Sequence, residues 1–109
     1  QFTKPGADDL FKDRLLDIME RSYDKSDFTV ESMSEALGMS RVHLYRKTQE
    51  IYGIAPTDLL RTFRLRKATA MLKRGGYTVS EVAYSVGFST PGYFTKCFKE
   101  MFGVTPSEF

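Results

Sequence analysis

Apolar residues recur every three to four positions along most of this sequence, which is the spacing of helices with one buried face. The first such stretch predicts a helix over residues 8–23, with Asp8 in the N-cap position. Its apolar stripe is expected to face whatever follows in the chain. The stripe contains Leu10, Phe11, Leu15, Ile18 and Met19.

One twelve-residue pattern occurs twice, first as TVESMSEALGMS and then, 49 positions later, as TVSEVAYSVGFS. Thr29 and Thr78 open the two copies and are placed to cap a short helix. Each helix should end at a glycine, Gly38 or Gly87, because glycine tolerates the left-handed conformation that closes a helix. The small residues expected where paired helices touch are Ala36 and Ala83.

Each copy leads into a second helix, predicted over residues 41–52 in the first copy and 90–102 in the second. Ser40 and Ser89 are placed to cap these second helices. Both end at a glycine, and a proline follows three residues after it, in the segments GIAP and GVTP. The offset there is 50, because the second copy has one extra residue near Pro91.

Two helices joined by a short turn that contains a glycine form a helix-turn-helix unit. An ordinary helical hairpin has the same order, so a single copy would be weak evidence. Two copies that keep the caps, the turn glycine and the terminal Gly-x-x-Pro favour the helix-turn-helix more strongly. We therefore predict an all-α fold with two such subdomains, called here the first and second heads.

The heads are joined by a stretch that predicts one continuous linker helix over residues 57–73. Pro56 stands at its start, and Gly75 with Gly76 provides the stop. At 1.5 Å per residue, such a helix is about 25 Å long and would hold the heads at a fixed separation. The apolar face expected to touch both heads consists of Leu59, Leu60, Phe63, Leu65, Ala68, Met71 and Leu72.

About seven helices are predicted in total, the last beginning at Thr105 and cut short at Phe109. The chain begins with Gln1 instead of Met, so we expect a piece of a longer protein. The predicted divisions are a tail or linker (1–7), the first head with its leading helix (8–55), the linker helix (56–74) and the second head (75–109).

Charge is unevenly distributed although the net value is only +2. Residues 1–40 carry nine acidic and five basic side chains, whereas residues 41–109 carry eleven basic and five acidic ones. Six bases and no acid fall within residues 61–74. This asymmetry favours a polyanionic partner such as nucleic acid, with a solvated basic face as the alternative.

Composition excludes several kinds of site. One Cys and one His allow neither an internal disulfide nor a zinc site. There is no Gly-rich phosphate loop, and a catalytic triad would rest on His43 alone, so we expect no enzyme and no cofactor. The sequence has no apolar run of 18 residues and no signal-peptide layout, which makes the cytoplasm the expected location.

The second head carries the most specific motif, VSEVAYSVGFSTPGYFTKCFKEMFGVTPSEF. It resembles the DNA-binding domain of AraC/XylS transcriptional regulators, as does nearly all of the chain from about residue 10. The first head matches more loosely: Thr48 stands where the family usually has a large apolar residue, so looser packing is expected there. Residues 17–47 look especially like the output domains of hybrid two-component regulators, whose parent protein can be membrane-anchored.

The resemblance implies a transcription regulator, usually an activator, whose two heads enter neighbouring major grooves of double-stranded DNA. Residues 1–28 are too few to form a ligand pocket, so we expect no small-molecule ligand within this fragment, and no membrane contact. A helical module that contacts RNA polymerase or a partner regulator is the alternative, with the acidic first 40 residues as the natural contact. The base-reading positions implied are Val42, Tyr45 and Arg46 in the first head and Pro91, Gly92, Tyr93 and Lys96 in the second.

Phosphate contacts are expected from side chains near the starts of the two second helices. Arg46 is open to two roles, since its guanidinium can bind guanine O6 and N7 or only a phosphate. Arg61, Arg64, Arg66 and Lys67 of the linker helix are expected either to line the DNA side or to be solvated, and Arg64 alternatively to brace the two heads. The predicted phosphate contacts are Ser40, Arg41, Lys47, Thr90, Thr95 and Lys99.

Overall fold

The computed structural model describes residues 6–109, and over that range it contains six helices and no strand. The predicted all-α fold is confirmed. A seventh helix is not formed: after Thr105 there is a single turn, in which Glu108 accepts from the backbone N–H of Thr105 at 2.9 Å. The helices are α1 (Ala7–Ser22), α2 (Val30–Leu37), α3 (Arg41–Tyr52), α4 (Pro56–Arg74), α5 (Val79–Ser85) and α6 (Pro91–Phe102).

The first helix begins one residue earlier than predicted. Residues 1–5 of the expected tail lie outside the described residues, and Ala7 is already helical. Gly6 occupies the N-cap, where its backbone N–H donates to the Asp9 carboxylate at 3.4 Å. Asp8, predicted to be the cap, lies instead in the first turn, and its carboxylate is used in a contact with α3.

The caps of the repeated helices follow the predicted chemistry. Thr29 accepts from the backbone N–H of Ser32 at 3.3 Å, and Thr78 accepts from that of Glu81 at 3.0 Å. Glu81 completes a reciprocal capping box by accepting from the Thr78 N–H at 2.8 Å. These bonds satisfy backbone donors that have no partner inside the helix.

The caps of α3 and α6 differ from each other. Ser40 caps α3 as predicted, accepting from the His43 N–H at 3.1 Å. The prediction of Ser89 for α6 is wrong: Thr90 is the N-cap and accepts from the Tyr93 N–H at 3.3 Å. The extra residue of the second copy places Pro91 at the first helical position, which fixes the cap immediately before it.

Two hydrophobic cores lie on opposite halves of α4. The first half of α4 contributes Leu60 to the first core and the second half contributes Leu65 and Ala68 to the second. Leu10, predicted to lie in the apolar stripe of α1, is 54% exposed. The other buried members are Phe11, Leu15, Met19, Phe28, Met33, Leu37 and Leu44 in the first core and Val82, Ala83, Val86, Phe88, Phe94, Cys97 and Phe98 in the second.

Two polar residues are buried in the first head, where the second head has apolar ones. Ser34, not the predicted Ala36, is the counterpart of Ala83; it is buried, whereas Ala36 is exposed. The Ser34 hydroxyl donates to the Glu31 carbonyl at 2.8 Å. Thr48 is fully buried and donates to the Tyr45 carbonyl at 3.1 Å. Both hydroxyls are thus satisfied within their own helices, which removes the main cost of burying them.

Candidate nucleic-acid interface

Helix α3 presents an uninterrupted exposed face beginning at its first turn. Val42 is 69% and Tyr45 52% exposed, and Arg41 and Arg46 are exposed as well. Leu44, on the opposite side, is completely buried. Val42 and Tyr45 therefore place apolar surface between the two exposed arginines, on the face opposite the core.

Helix α6 presents the corresponding face of the second head. Tyr93 is 50% exposed, and Gly92 and Lys96 are exposed, while Pro91 and Thr95 are partly buried. The Tyr93 ring is held by Phe88, with ring centroids 5.9 Å apart. Its hydroxyl accepts from the Arg61 guanidinium at 3.4 Å. Helix α6 therefore presents a positioned aromatic residue, Tyr93, with the exposed Lys96 three residues further along.

The hydroxyl groups at the two N-caps are also exposed. Ser40 and Thr90 each use an oxygen lone pair to accept a backbone N–H, which leaves the hydroxyl proton free to donate outward. The partial positive charge at a helix N-terminus adds to the attraction for an anion. Both predicted phosphate contacts thus have the right donor at the surface. Lys99 is exposed further along α6.

The exposed faces of α3 and α6 border two adjoining grooves. One groove of about 680 Å³ is lined by Arg41, Val42 and Tyr45. The other, which we call the inter-head cleft, has a volume of about 340 Å³ and is lined by Thr90 and Tyr93 among others. The two grooves share the lining residues Thr29, Val30 and Thr57.

Arg61 of α4 lies in the inter-head cleft, between the Asp58 carboxylate and the Tyr93 hydroxyl. Sequence reasoning left it open whether this residue faces DNA or solvent. Arg61 was not among the predicted DNA contacts, and its place in the cleft adds a cation to the candidate interface. The sequence contained one sign of this placement. Arg61 is four residues after Thr57 and so lies on the same face of α4, and both residues line the cleft.

Lys47 differs from the other predicted phosphate contacts. Its ammonium lies 2.8 Å from the Asp8 carboxylate and 5.6 Å from the centre of the Phe11 ring, so it links α3 to α1. The hydrogen bond that Lys47 donates to Asp8 raises the pKa of Lys47 and lowers the pKa of Asp8. A phosphate contact by Lys47 would require its ammonium to leave Asp8, and it stays a prediction.

Besides Arg61, two further bases of the linker helix make contacts within the protein. Arg64 donates to three backbone carbonyls of the loop between α1 and α2, which agrees with the bracing alternative. Lys67 pairs with Glu20 and lies 5.3 Å from the centres of both the Tyr23 and Phe63 rings. The six bases counted in residues 61–74 therefore overstate the charge offered to a partner. Arg66 is exposed.

Comparison with known proteins identifies the domain. A family model described as a helix-turn-helix domain matches residues 33–109. The C-terminal domain of the two-component response regulator yesN from Fusobacterium nucleatum is 32% identical, with a TM-score of 0.85 over 91% of this chain and 96% of that one. The chain belongs to the AraC family of transcriptional regulators.

A second similar structure was solved with DNA bound. The DNA-binding domain of AdpA, determined in complex with a target DNA, is 28% identical, with a TM-score of 0.78 over 87% of each chain. As a member of the AraC family, the domain described here is a DNA-binding helix-turn-helix domain of a transcription regulator. The resemblance drawn from the sequence is confirmed.

The curated relatives are longer than this AraC-type domain. "Histidine kinase P4" of Formosa agariphila is 30% identical over 109 residues, which is 100% of this chain and 8% of the relative. The chain spans from 8% to 33% of the first curated relatives. Over the described range, residues 6–109, no helix combines the length and apolar character needed to cross a membrane.

Proposed function

We propose that the two heads bind neighbouring major grooves on one face of a DNA duplex, with α3 and α6 reading the bases. The observation that carries this proposal is the pair of exposed faces on α3 and α6, which border grooves with shared walls. The longest dimension of the molecule is 44 Å, which exceeds the spacing of about 34 Å between successive grooves on one face of DNA.

In the first head, Arg46 is the residue proposed to read a guanine through O6 and N7, and Val42 to contact a thymine methyl group. Tyr45 lies between them on the same exposed face. In the second head, Lys96 is the main donor and Tyr93 stands beside it. Pro91 and Gly92 have no hydrogen-bonding side chain, so this head is proposed to contribute shape recognition and anchoring more than base identity.

Phosphates are proposed to be bound at the helix N-termini and beside them. Ser40 and Thr90 supply cap hydroxyls, and Arg41 supplies an exposed guanidinium. Arg61 joins this set because it lies in the inter-head cleft. The remaining proposed phosphate contacts are Thr95, Lys99 and, once released from Asp8, Lys47.

We further propose that the domain is the output part of a longer bacterial regulator, an activator controlled by a two-component signal. The likeness to a response regulator's C-terminal domain and to a histidine kinase supports this. Such a regulator places this domain in the cytoplasm, whether or not another part of the protein is membrane-anchored. Contact with RNA polymerase by another face of the domain stays a prediction.

The test is to select bound duplexes from a random oligonucleotide pool and to measure their affinity for the wild type, Arg46→Ala and Lys96→Ala. Each substitution should cost about 1–3 kcal/mol on the selected site and less on unrelated DNA. Arg21→Ala, an exposed arginine on α1, is the matched control and should change little. Affinity should also fall steeply between about 50 and 200 mM salt.

Equal losses on selected and unrelated DNA would demote Arg46 and Lys96 to phosphate contacts. A duplex protected over only one major groove would contradict binding by both heads.

A further inference from the structure

The loop between α1 and α2 connects the two heads although it belongs to the first one. Phe28, at the end of this loop, is buried in the first core. Tyr23, at its beginning, packs instead against the second core. Its ring also meets Phe63 of α4 edge-on, with centroids 5.6 Å apart. The six residues from Tyr23 to Phe28 therefore reach from one core to the other, alongside the linker helix.

Arg64 of α4 binds this loop through its backbone. The guanidinium donates to the carbonyls of Tyr23 at 2.8 Å, Lys25 at 2.9 Å and Phe28 at 3.1 Å. A guanidinium can hold several acceptors at once because its donors lie in one rigid plane. Lysine has a single nitrogen and could not reproduce this arrangement. Arg64 thus fixes the shape of the loop and its position against α4.

The turn of the second head touches the same group of atoms. Gly87 lies in that turn with φ +94°, and it is buried. A Cβ placed on Gly87 would be 2.1 Å from the Tyr23 carbonyl oxygen and 2.7 Å from the Arg64 Nε. The first head's loop, the linker helix and the second head's turn therefore meet at three residues, Tyr23, Arg64 and Gly87. We call this contact the joint.

We propose that Arg64 is a positioning residue: through the joint, it fixes the orientation of one head relative to the other and so sets the half-site spacing that the domain accepts on DNA. The inference rests on the proposed binding of two neighbouring grooves. The helices of each head pack on one another and on α4, so without the joint the heads are coupled mainly through α4. A second connection opposes rocking of one head about that helix.

The consequence for DNA follows from duplex geometry. Adding one base pair between two half-sites moves them apart by about 3.4 Å and rotates one about the axis by roughly a tenth of a turn. Heads held in one orientation cannot follow that rotation without distorting the DNA or losing contacts. Heads released from the joint can follow it. Arg64 should therefore affect the selectivity for spacing more than the affinity of either head for its own half-site.

The first experiment measures head orientation without DNA. Spin labels are placed at two exposed positions, Glu35→Cys on α2 and Ser85→Cys on α5, in a Cys97→Ala background, and the distance distribution is recorded by pulsed electron resonance. Arg64→Gln should broaden the distribution at least twofold. Arg66→Gln, which removes an exposed arginine from the same helix, is the control and should leave it unchanged.

A distribution of unchanged width in folded Arg64→Gln would overturn the proposal. Arg64→Lys, which keeps the charge and most of the side-chain stem, serves as the second variant if Arg64→Gln does not fold, and it should broaden the distribution as well.

The second experiment uses a selected duplex in which the half-sites are moved by −2 to +2 base pairs. The wild type and Arg66→Gln should bind one spacing at least tenfold more tightly than its neighbours. In Arg64→Gln that ratio should fall at least threefold, while binding to a single half-site stays unchanged. A uniform loss at every spacing would show a merely structural role for Arg64 and overturn the proposal. If the wild type bound all spacings equally well, the proposed binding of two grooves would be contradicted. The spin-label measurement would then still test whether Arg64 fixes the orientation of the heads.

Discussion

Gly38 and Gly87 occupy the same position of the two repeats but meet different surroundings. Both have positive φ, +69° and +94°, a backbone conformation that residues other than glycine adopt only with strain. No atom lies within 4 Å of a Cβ built on Gly38, whereas one built on Gly87 would overlap the Tyr23 carbonyl. Gly38→Ala should therefore cost about 1–2 kcal/mol from backbone strain alone. Gly87→Ala should cost about 3 kcal/mol or more, because the steric term is added.

Urea unfolding of both variants against the wild type measures these costs. The informative quantity is the difference between them, since the strain common to both positions cancels approximately. Equal losses would mean that the turn of the second head moves away from Tyr23 without cost, and the joint would then not be tightly packed.

Residue identities were predictable from the sequence where a single local rule decides them. Thr29 and Thr78 are caps because each starts a short apolar-periodic stretch, and this needed no tertiary information. The assignment of Ala36 failed because the choice followed residue type instead of the repeat offset, which leads from Ala83 to Ser34. The assignment of Ser89 failed because the inserted residue before Pro91 moved the cap by one position.

At the scale of helices, α1 is linked to α3 by the ion pair between Asp8 and Lys47. The hydrogen bond from Lys47 lowers the pKa of Asp8 below its ordinary value of 3.8. A carboxyl whose pKa is lower in the folded state stabilises the fold above its unfolded pKa, and that stabilisation is lost as the pH falls through the folded pKa. Asp8→Asn should therefore reduce stability at pH 7 and make progressively less difference below about pH 4.

Thermal unfolding of Asp8→Asn and wild type between pH 7 and pH 3 would measure this effect. The effect should be small and should shrink in high salt, because the pair is at the surface. Asp13→Asn, the same charge change on the same helix, is the control. A difference between wild type and Asp8→Asn that stays constant as the pH falls to 3 would show that Asp8 acts through something other than its charge.

Helix bounds were largely predictable, whereas the contacts between helices were not. The bounds of α3 matched the expectation, because a capping serine and a terminal glycine lie next to the helix in sequence. The contact between Lys47 of α3 and Asp8 of α1, by contrast, joins residues that are 39 positions apart in the sequence. No local pattern distinguishes that lysine from a solvent-exposed phosphate contact. Side chains with two plausible partners are therefore the ones that sequence reasoning leaves undecided.

At the scale of the whole molecule, the sequence predicted two similar heads on a common helix but not how they are held. Their orientation depends on Arg64 reaching a loop 36 to 41 residues earlier and on Gly87 fitting against the same loop. The bracing role of Arg64 was one of several open alternatives. The hydrogen bonds from Arg64 to three loop carbonyls favour bracing over contact with DNA or solvent, and no sequence pattern predicts those bonds.

The fixed orientation has a consequence for the DNA. Helix α4 has 19 residues and is about 28 Å long, which is shorter than the spacing of about 34 Å between grooves on one face. If the joint prevents the heads from spreading, and α3 and α6 lie no farther apart than α4 is long, the duplex must bend toward the protein to bring both grooves within reach. Smooth bending of a short site costs on the order of 1–6 kcal/mol, and less where flexible TA or CA/TG steps lie between the half-sites.

We therefore expect fragments of equal length to migrate more slowly in a gel when the bound site is central than when it is near an end. Replacing the base pairs between the half-sites with a stiff A-tract should weaken binding, although no side chain need read those pairs. Mobility independent of site position would show that the duplex stays straight. In that case the tilt of α3 and α6 within each head would have to make up the missing distance, and the A-tract should then leave the affinity unchanged.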